Sequence, residues 1–161
     1  MLACSESDDQ LFVHLPNAAV AAFHLDQFAE AKLYAERALT LAPSYRKNWN
    51  YGNALHLGHT VLGLLALSEG DLPRAVAELH ASACTESSPQ LNSFGSTMQL
   101  AKALLREGQV APVLEYLKQC RIFWGMGGGW LDTWERKIQA GQVPNFFQHS
   151  YACAMPNVEF I

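Results

Sequence analysis

Along Asn48 to Ala83 (NWNYGNALHLGHTVLGLLALSEGDLPRAVAELHASA) the hydrophobic pattern changes once, at Gly70–Asp71. Before that point, Tyr51, Ala54, Leu55, Val61, Leu62, Leu65 and Ala66 form one broad face, and Trp49, Leu57, Leu64 and Leu67 fill others. A helix apolar nearly all round belongs at the centre of a fold rather than on its surface. A second stripe holds Gly52, His56, His59, Gly63 and Ala66 at steps of three and four. Each glycine costs a helix roughly 1 kcal/mol in propensity, so the stripe predicts a backbone packed closely against it. After Gly70, a natural left-handed helix end, Asp71 caps a second helix with Pro73 in its first turn. There Ala75, Leu79 and Ala83 recur at steps of four, and a helical hairpin results.

The same reading extends in both directions. Met1 to Gln10 reads as a frayed start, and Leu11 to Leu25 as helical after Pro16. Asp26 is placed as the N-cap of a helix over Gln27–Leu41, which Ala42-Pro43 ends. Ser44 is expected to cap the central helix, roughly Tyr45 to Glu69, whose first turn then holds Arg46 and Lys47, the wrong sign for the helix dipole. Such a basic start asks for an anionic neighbour. Thr85 to Gly95 reads as the main loop, and Ser96 with Gln99 as the capping box of a helix over Thr97–Glu107. Gly108 stops that helix, and a further one runs from Pro112 to about Phe123. The run Gly125–Gly129 is a flexible connector to a short helix, Thr133 to Ala140, with Trp130, Trp134 and Ile138 inward. The tail from Gln142 onward carries Phe146, Phe147, Tyr151 and Phe160 between prolines, too many apolar groups for a free end.

Gly63, Gly70, Asp71, Ala75 and Leu79 fall where a tetratricopeptide (TPR) repeat places its small residues, its inter-helix turn and a large apolar residue. Ala31, Tyr34, Ala35, Ala38 and Pro43 resemble the second helix of a preceding copy, and Ala101, Leu104, Gly108 and Leu117 a following one. Slightly more than one period of about 34 residues separates Gly70 from Gly108, which implies an insertion near Ser87–Phe94. The strings NWNYGNALHLGH and SPQLNSFGSTMQLAKALL are also similar to bacterial repeat proteins of unassigned role. The resemblance covers Leu15 to Trp124 and lacks the repeat tryptophan. It implies an all-α fold of TPR-like hairpins in a short right-handed superhelix over residues 11–124. Residues 125–161 would add a connector, a capping helix and an irregular aromatic tail packed on the same domain. It also implies non-catalytic binding of a protein or peptide in a concave groove, where Asn48, Asn50, Tyr51, Asn53 and Asn92 are the candidate contacts.

Composition narrows this little. The 161 residues suit one domain, half of them are hydrophobic, and the formal charge of −4 lacks the basic excess of a general nucleic-acid binder. The longest apolar segment, Val61 to Leu67, is too short for a bilayer. Cys4, Cys84, Cys120 and Cys153 are scattered, as in a reducing, cytoplasmic compartment. Leu2-Ala3-Cys4 matches a lipoprotein cleavage box without the segment that precedes one. No cofactor is expected. His56, His59 and His80 are the one set that zinc or a small ligand would accept, with packed histidines as the plainer alternative. Cys84, Glu86 and His80 make a weak nucleophile set, and Gly125–Gly129 lacks the lysine of a phosphate loop. Arg46, Lys47, Lys102 and Arg106 would grip a carboxylate only if they faced inward. Two further alternatives stay open: a ligand-binding protein or enzyme centred on the histidines, and a homodimer completed by the C-terminal tail.

Overall fold

The structure, a computed structural model, describes residues 8–85 and 88–146. Among these residues the chain is all-helical, with no strand. Eight α-helices follow in order: α1 (Asp8–His24), α2 (Phe28–Leu41), α3 (Tyr51–Ser68), α4 (Leu72–Ala83), α5 (Pro89–Phe94), α6 (Gln99–Arg106), α7 (Val110–Phe123) and α8 (Gly128–Gln139). A 3-10 turn, Ala42–Tyr45, stands between α2 and α3.

Pairs α1–α2, α3–α4 and α6–α7 are hairpins, and α3 also packs on α1, α2 and α6. Its all-round apolar pattern follows from that position: every residue from Thr60 to Ala66 is buried. The turns of the three hairpins share one form. Gly70 at φ 80° and Gly108 at φ 76° occupy the left-handed position after their helices. The next residue then donates back to the helix, Asp71 to Ala66 O at 2.9 Å and Gln109 to Leu104 O at 2.9 Å. Asp26 holds the same place in the first hairpin, at φ 57° with Gln27 donating to Ala22 O. Asp26 therefore ends α1 instead of capping α2, whose N-cap is Gln27 without a side-chain bond.

Several other boundaries move. α1 begins at Asp8 and carries Pro16 in its interior. The buried side chains of Phe12, Leu15 and Ala19 hold the turn that proline leaves without a hydrogen bond. Ser44 caps nothing and belongs to the 3-10 turn, whose Tyr45 stacks on Phe12 at 4.5 Å between centroids. Arg46 and Lys47 accordingly precede α3 and are exposed, which removes the argument for an anionic neighbour. Ser96 is buried and meets Cys120 Sγ at 3.4 Å rather than capping α6, whose N-cap is Met98. The expected loop contains α5, capped by Ser88 Oγ accepting from Leu91 N. The extra residues of the third hairpin thus become a helix.

α8 starts inside the glycine run and lies on α7 through buried Leu131, Trp134 and Ile138. Arg121 forks to Asp132 at 2.6 Å and Glu135 at 2.7 Å across the same contact. Phe146 is buried with its ring 5.0 Å from Trp134, so the start of the tail packs on its own domain. Phe147 to Ile161, with Tyr151, Phe160 and Cys153, lie outside the described residues, as do Cys4 and the cleavage-box match.

Two expectations follow for stability. A Cβ on Gly63 would overlap Leu100 Cδ2 and stand 3.1 Å from Glu78 Cβ, and Leu100 is itself buried. Gly63→Leu should lower stability by about 1–3 kcal/mol through overpacking, read as a lower denaturant midpoint; an unshifted midpoint would contradict the close approach. Asp26→Gly relieves a left-handed side chain and should raise stability by roughly 0.5–1 kcal/mol, since only part of the left-handed penalty applies to Asp.

Candidate functional site

The hairpins leave a cleft of ≈ 810 Å³ between α1, the start of α3, α5 and the link from α7 to α8. The first helices of the first two hairpins supply two of its walls: Val13, His14 and Asn17 from α1, and Asn53, His56 and Leu57 from α3. Its rim carries four large apolar side chains that water reaches: Trp49 at 54 %, Phe94 at 67 %, Met126 at 73 % and Trp130 at 45 % exposed. No Asp, Glu, Lys or Arg lines the cleft among the described residues.

The sequence places Trp49 and Phe94 there by stopping helices early. Trp49 lies in the turn that precedes α3, and Phe94 is the last residue of α5 before Gly95 at φ 79°. Gly95 and Gly127 both abut the indole of Trp124, and a Cβ on either would fall into that ring. The glycines therefore seat Trp124 as a buried wall between α5 and α8. Trp130, expected to face inward, stands half-exposed over the cleft with its ring 6.1 Å from Trp134.

The candidate amides divide. Asn50 and Asn53 line the cleft. Asn53 Nδ2 donates to Asn50 Oδ1 at 3.1 Å and to Gln90 Oε1, while its Oδ1 accepts from Ser88 Oγ at 3.0 Å. Asn53 is thus a latch that ties α3 to α5. Asn48, Tyr51 and Asn92 do not line the cleft. Asn48 Oδ1 accepts from Asn50 N at 2.8 Å and forms the turn before α3. Tyr51 packs on the Phe12, Ala42 and Ala54 cluster. Asn92 Oδ1 accepts from Gly125 N at 3.1 Å and fixes the link to α8. Arg46, Lys47 and Arg106 are exposed, and Lys102 donates to Asn145 O at 3.3 Å, so none of the four grips the cleft.

The three histidines do not converge, and no metal-binding cluster forms among the described residues. His56 Nδ1 is 3.0 Å from Ser82 O and donates to it, which leaves Nε2 to accept from Thr97 N at 3.0 Å. Both ring nitrogens are therefore used within the fold. His59 pairs with Glu78 at 2.7 Å, and His80 Nε2 donates to Pro112 O at 3.0 Å. Burial drives the His56 pKa down to about 4, with the Ser82 carbonyl opposing and His59 adding. Burial likewise pushes the Cys120 thiol up to about 12, far from a nucleophile. Cys84 is exposed, while Glu86 lies outside the described residues.

Comparison of the chain with protein-family models, with curated proteins and with solved structures gives no match.

The cleft was only partly foreshadowed by sequence. Trp49, Gln90 and Met126 come from separate segments and share no period. The available signal was aromatic residues beside helix breaks, as in SFG at 93–95 and WGMGGGW at 124–130.

His56 yields a pH prediction. Its native pKa lies below the unfolded value of 6.5, so its contribution is complete above pH 6.5 and is lost as pH falls toward 4. The loss should total roughly 3 kcal/mol. Denaturation at pH 7 and pH 4.5 should show a larger drop for the wild type than for His56→Gln; equal drops would mean that His56 titrates normally in the native state.

Proposed function

We propose that this chain is a non-catalytic scaffold of the TPR-like kind that takes an extended protein or peptide segment in the cleft between α1, α3 and α5. The observation that carries this reading is the rim of Trp49, Phe94, Met126 and Trp130, exposed together over a floor of amides. Large apolar groups exposed around one cleft mark interaction sites. Amide side chains beneath them suit a peptide backbone, which needs both donors and acceptors.

The helix order supports the family reading. Each later hairpin packs its first helix on the hairpin before it: α3 on α1 and α2, and α6 on α3 and α4. Of the repeat positions named from sequence, Ala31, Ala35, Ala38, Ala75, Leu79, Ala101, Leu104 and Leu117 are buried packing positions, while Gly70, Asp71 and Gly108 are exposed in turns. On this reading the three hairpins form a short right-handed superhelix, α5 is an insertion, and α8 covers the last pair. The first helices then face the groove, where Val13, Asn53 and Leu57 stand.

An enzymatic reading has less to stand on, because His56, His59 and His80 are each held by a separate partner within the fold. The homodimer alternative rests on the tail from Gln142 onward, of which Phe146 packs on Trp134 of the same chain and residues 147–161 lie outside the described residues.

The test is selection of a random peptide library on the full chain, followed by titration of enriched peptides into wild type and a Trp49→Ala, Phe94→Ala double variant. Both side chains are exposed, so circular dichroism should be unchanged. Affinity should fall by about tenfold or more, as for hot-spot aromatics. Failure to enrich any peptide, or equal affinity for the variant, would overturn the proposal.

A further inference from the structure

We infer that residues 147–161 of this chain are themselves an occupant of the cleft, so that an outside segment enters only by displacing them. This rests on the peptide reading above and adds its regulation: the site carries its own competitor.

The start of the tail fixes where the rest can go. Phe146 is buried with its ring 5.0 Å from Trp134, and Lys102 Nζ donates to Asn145 O at 3.3 Å. Trp134 and Trp130 stand one turn apart on α8 with ring centroids 6.1 Å apart, so they share a face of that helix. Trp130 borders the cleft. A continuous run of rings therefore leads from the root of the tail to the cleft edge. The fifteen residues after Phe146 reach up to about 50 Å when extended, several times the distance that these two ring contacts cover.

The composition of the segment matches the walls. From Phe147 to Val158 it contains no Asp, Glu, Lys or Arg, and Phe147, Tyr151 and Met155 place a large apolar group at every fourth position. Those four charged types are also absent from the described cleft lining, while Trp49, Phe94 and Met126 are exposed on its rim. A charged segment would lose water there without gaining a partner of opposite sign. Covalent attachment then favours this segment over its rivals. Joined to the domain so close to the cleft, it meets the site at an effective concentration of about 1 mM. A free peptide or a second copy's tail of equal affinity cannot match that until it is millimolar itself.

The experiment uses the full chain with Cys4→Ser and Cys84→Ser, which leaves Cys153 to carry a nitroxide, since Cys120 is buried. The indole resonance of Trp49 and the side-chain amide resonances of Gln90 are compared with the label active and reduced. Both should lose most of their intensity to the active label. Phe147→Ser, Tyr151→Ser and Met155→Ser together keep Phe146 on Trp134 and should restore both signals, and Trp49→Ala with Phe94→Ala should restore that of Gln90. A synthetic peptide of residues 147–161 should bind the tail variant about tenfold more tightly than the parent chain, as for a competitor of about 0.1 mM affinity present at about 1 mM. Unchanged intensity at Trp49 and Gln90 would place the tail elsewhere and overturn the inference, leaving the peptide reading to the library selection. Loss seen only between a spin-labelled copy and a separate isotope-labelled copy would make the occupant a second chain's tail and overturn it too. Loss that survives both sets of substitutions, or equal affinity of the peptide for variant and parent, would do the same. Because the label reads occupancy with no ligand added, its outcome is independent of whether the library yields a binder.

Discussion

One imidazole holds the middle of the molecule together. His56 sits on α3, donates to the last turn of α4 at Ser82 and accepts from the backbone at Thr97, just before α6. It thereby joins the second hairpin to the third while bordering the cleft. The arrangement works only with a neutral ring, because one nitrogen must donate and the other accept. A buried polar group left without either partner would cost about 1–3 kcal/mol. Near it, Tyr116 donates to Thr97 O at 3.2 Å and Ser96 meets Cys120, so the polar groups at this junction knit one local network.

Around that junction the packing is set by small residues. Gly63 lets Leu100 of α6 reach the backbone of α3, and Ala35 and Ala38 of α2 are fully buried on its other side. Gly95 and Gly127 do the same for Trp124, whose position then decides where α5 and α8 stand. The cleft is therefore a by-product of close packing behind it. Its rear wall is the buried indole of Trp124, closely packed against Gly95 and Gly127.

Sequence disclosed the hairpins better than the site. Gly70-Asp71 and the Ala75–Leu79–Ala83 spacing carry local physics: a left-handed helix end, a cap that Asp71 makes by accepting from Arg74 N, and one buried face. Such signals lie within a few residues of each other. Asp26, Ser44 and Ser96 misled because a short polar side chain suits several local roles. Asp26 took a left-handed position, Ser44 entered a 3-10 turn, and Ser96 was buried by tertiary packing. Asn50 and Asn53 were legible as unusual helix residues, but their division of labour was not. It depends on Ser88 and Gln90, which only the fold brings to α3.

The cleft's neutrality has a kinetic consequence. The chain carries a net charge of −4, yet among the described residues no Asp, Glu, Lys or Arg borders the cleft. A ligand approaching it gains no steering from those walls, and salt has no wall charge to screen. Encounter with the proposed ligand would then proceed at the unassisted rate of about 10⁵–10⁶ M⁻¹ s⁻¹. If the cleft takes a segment as proposed, discrimination among competitors would come from how long each one stays against Trp49 and Phe94.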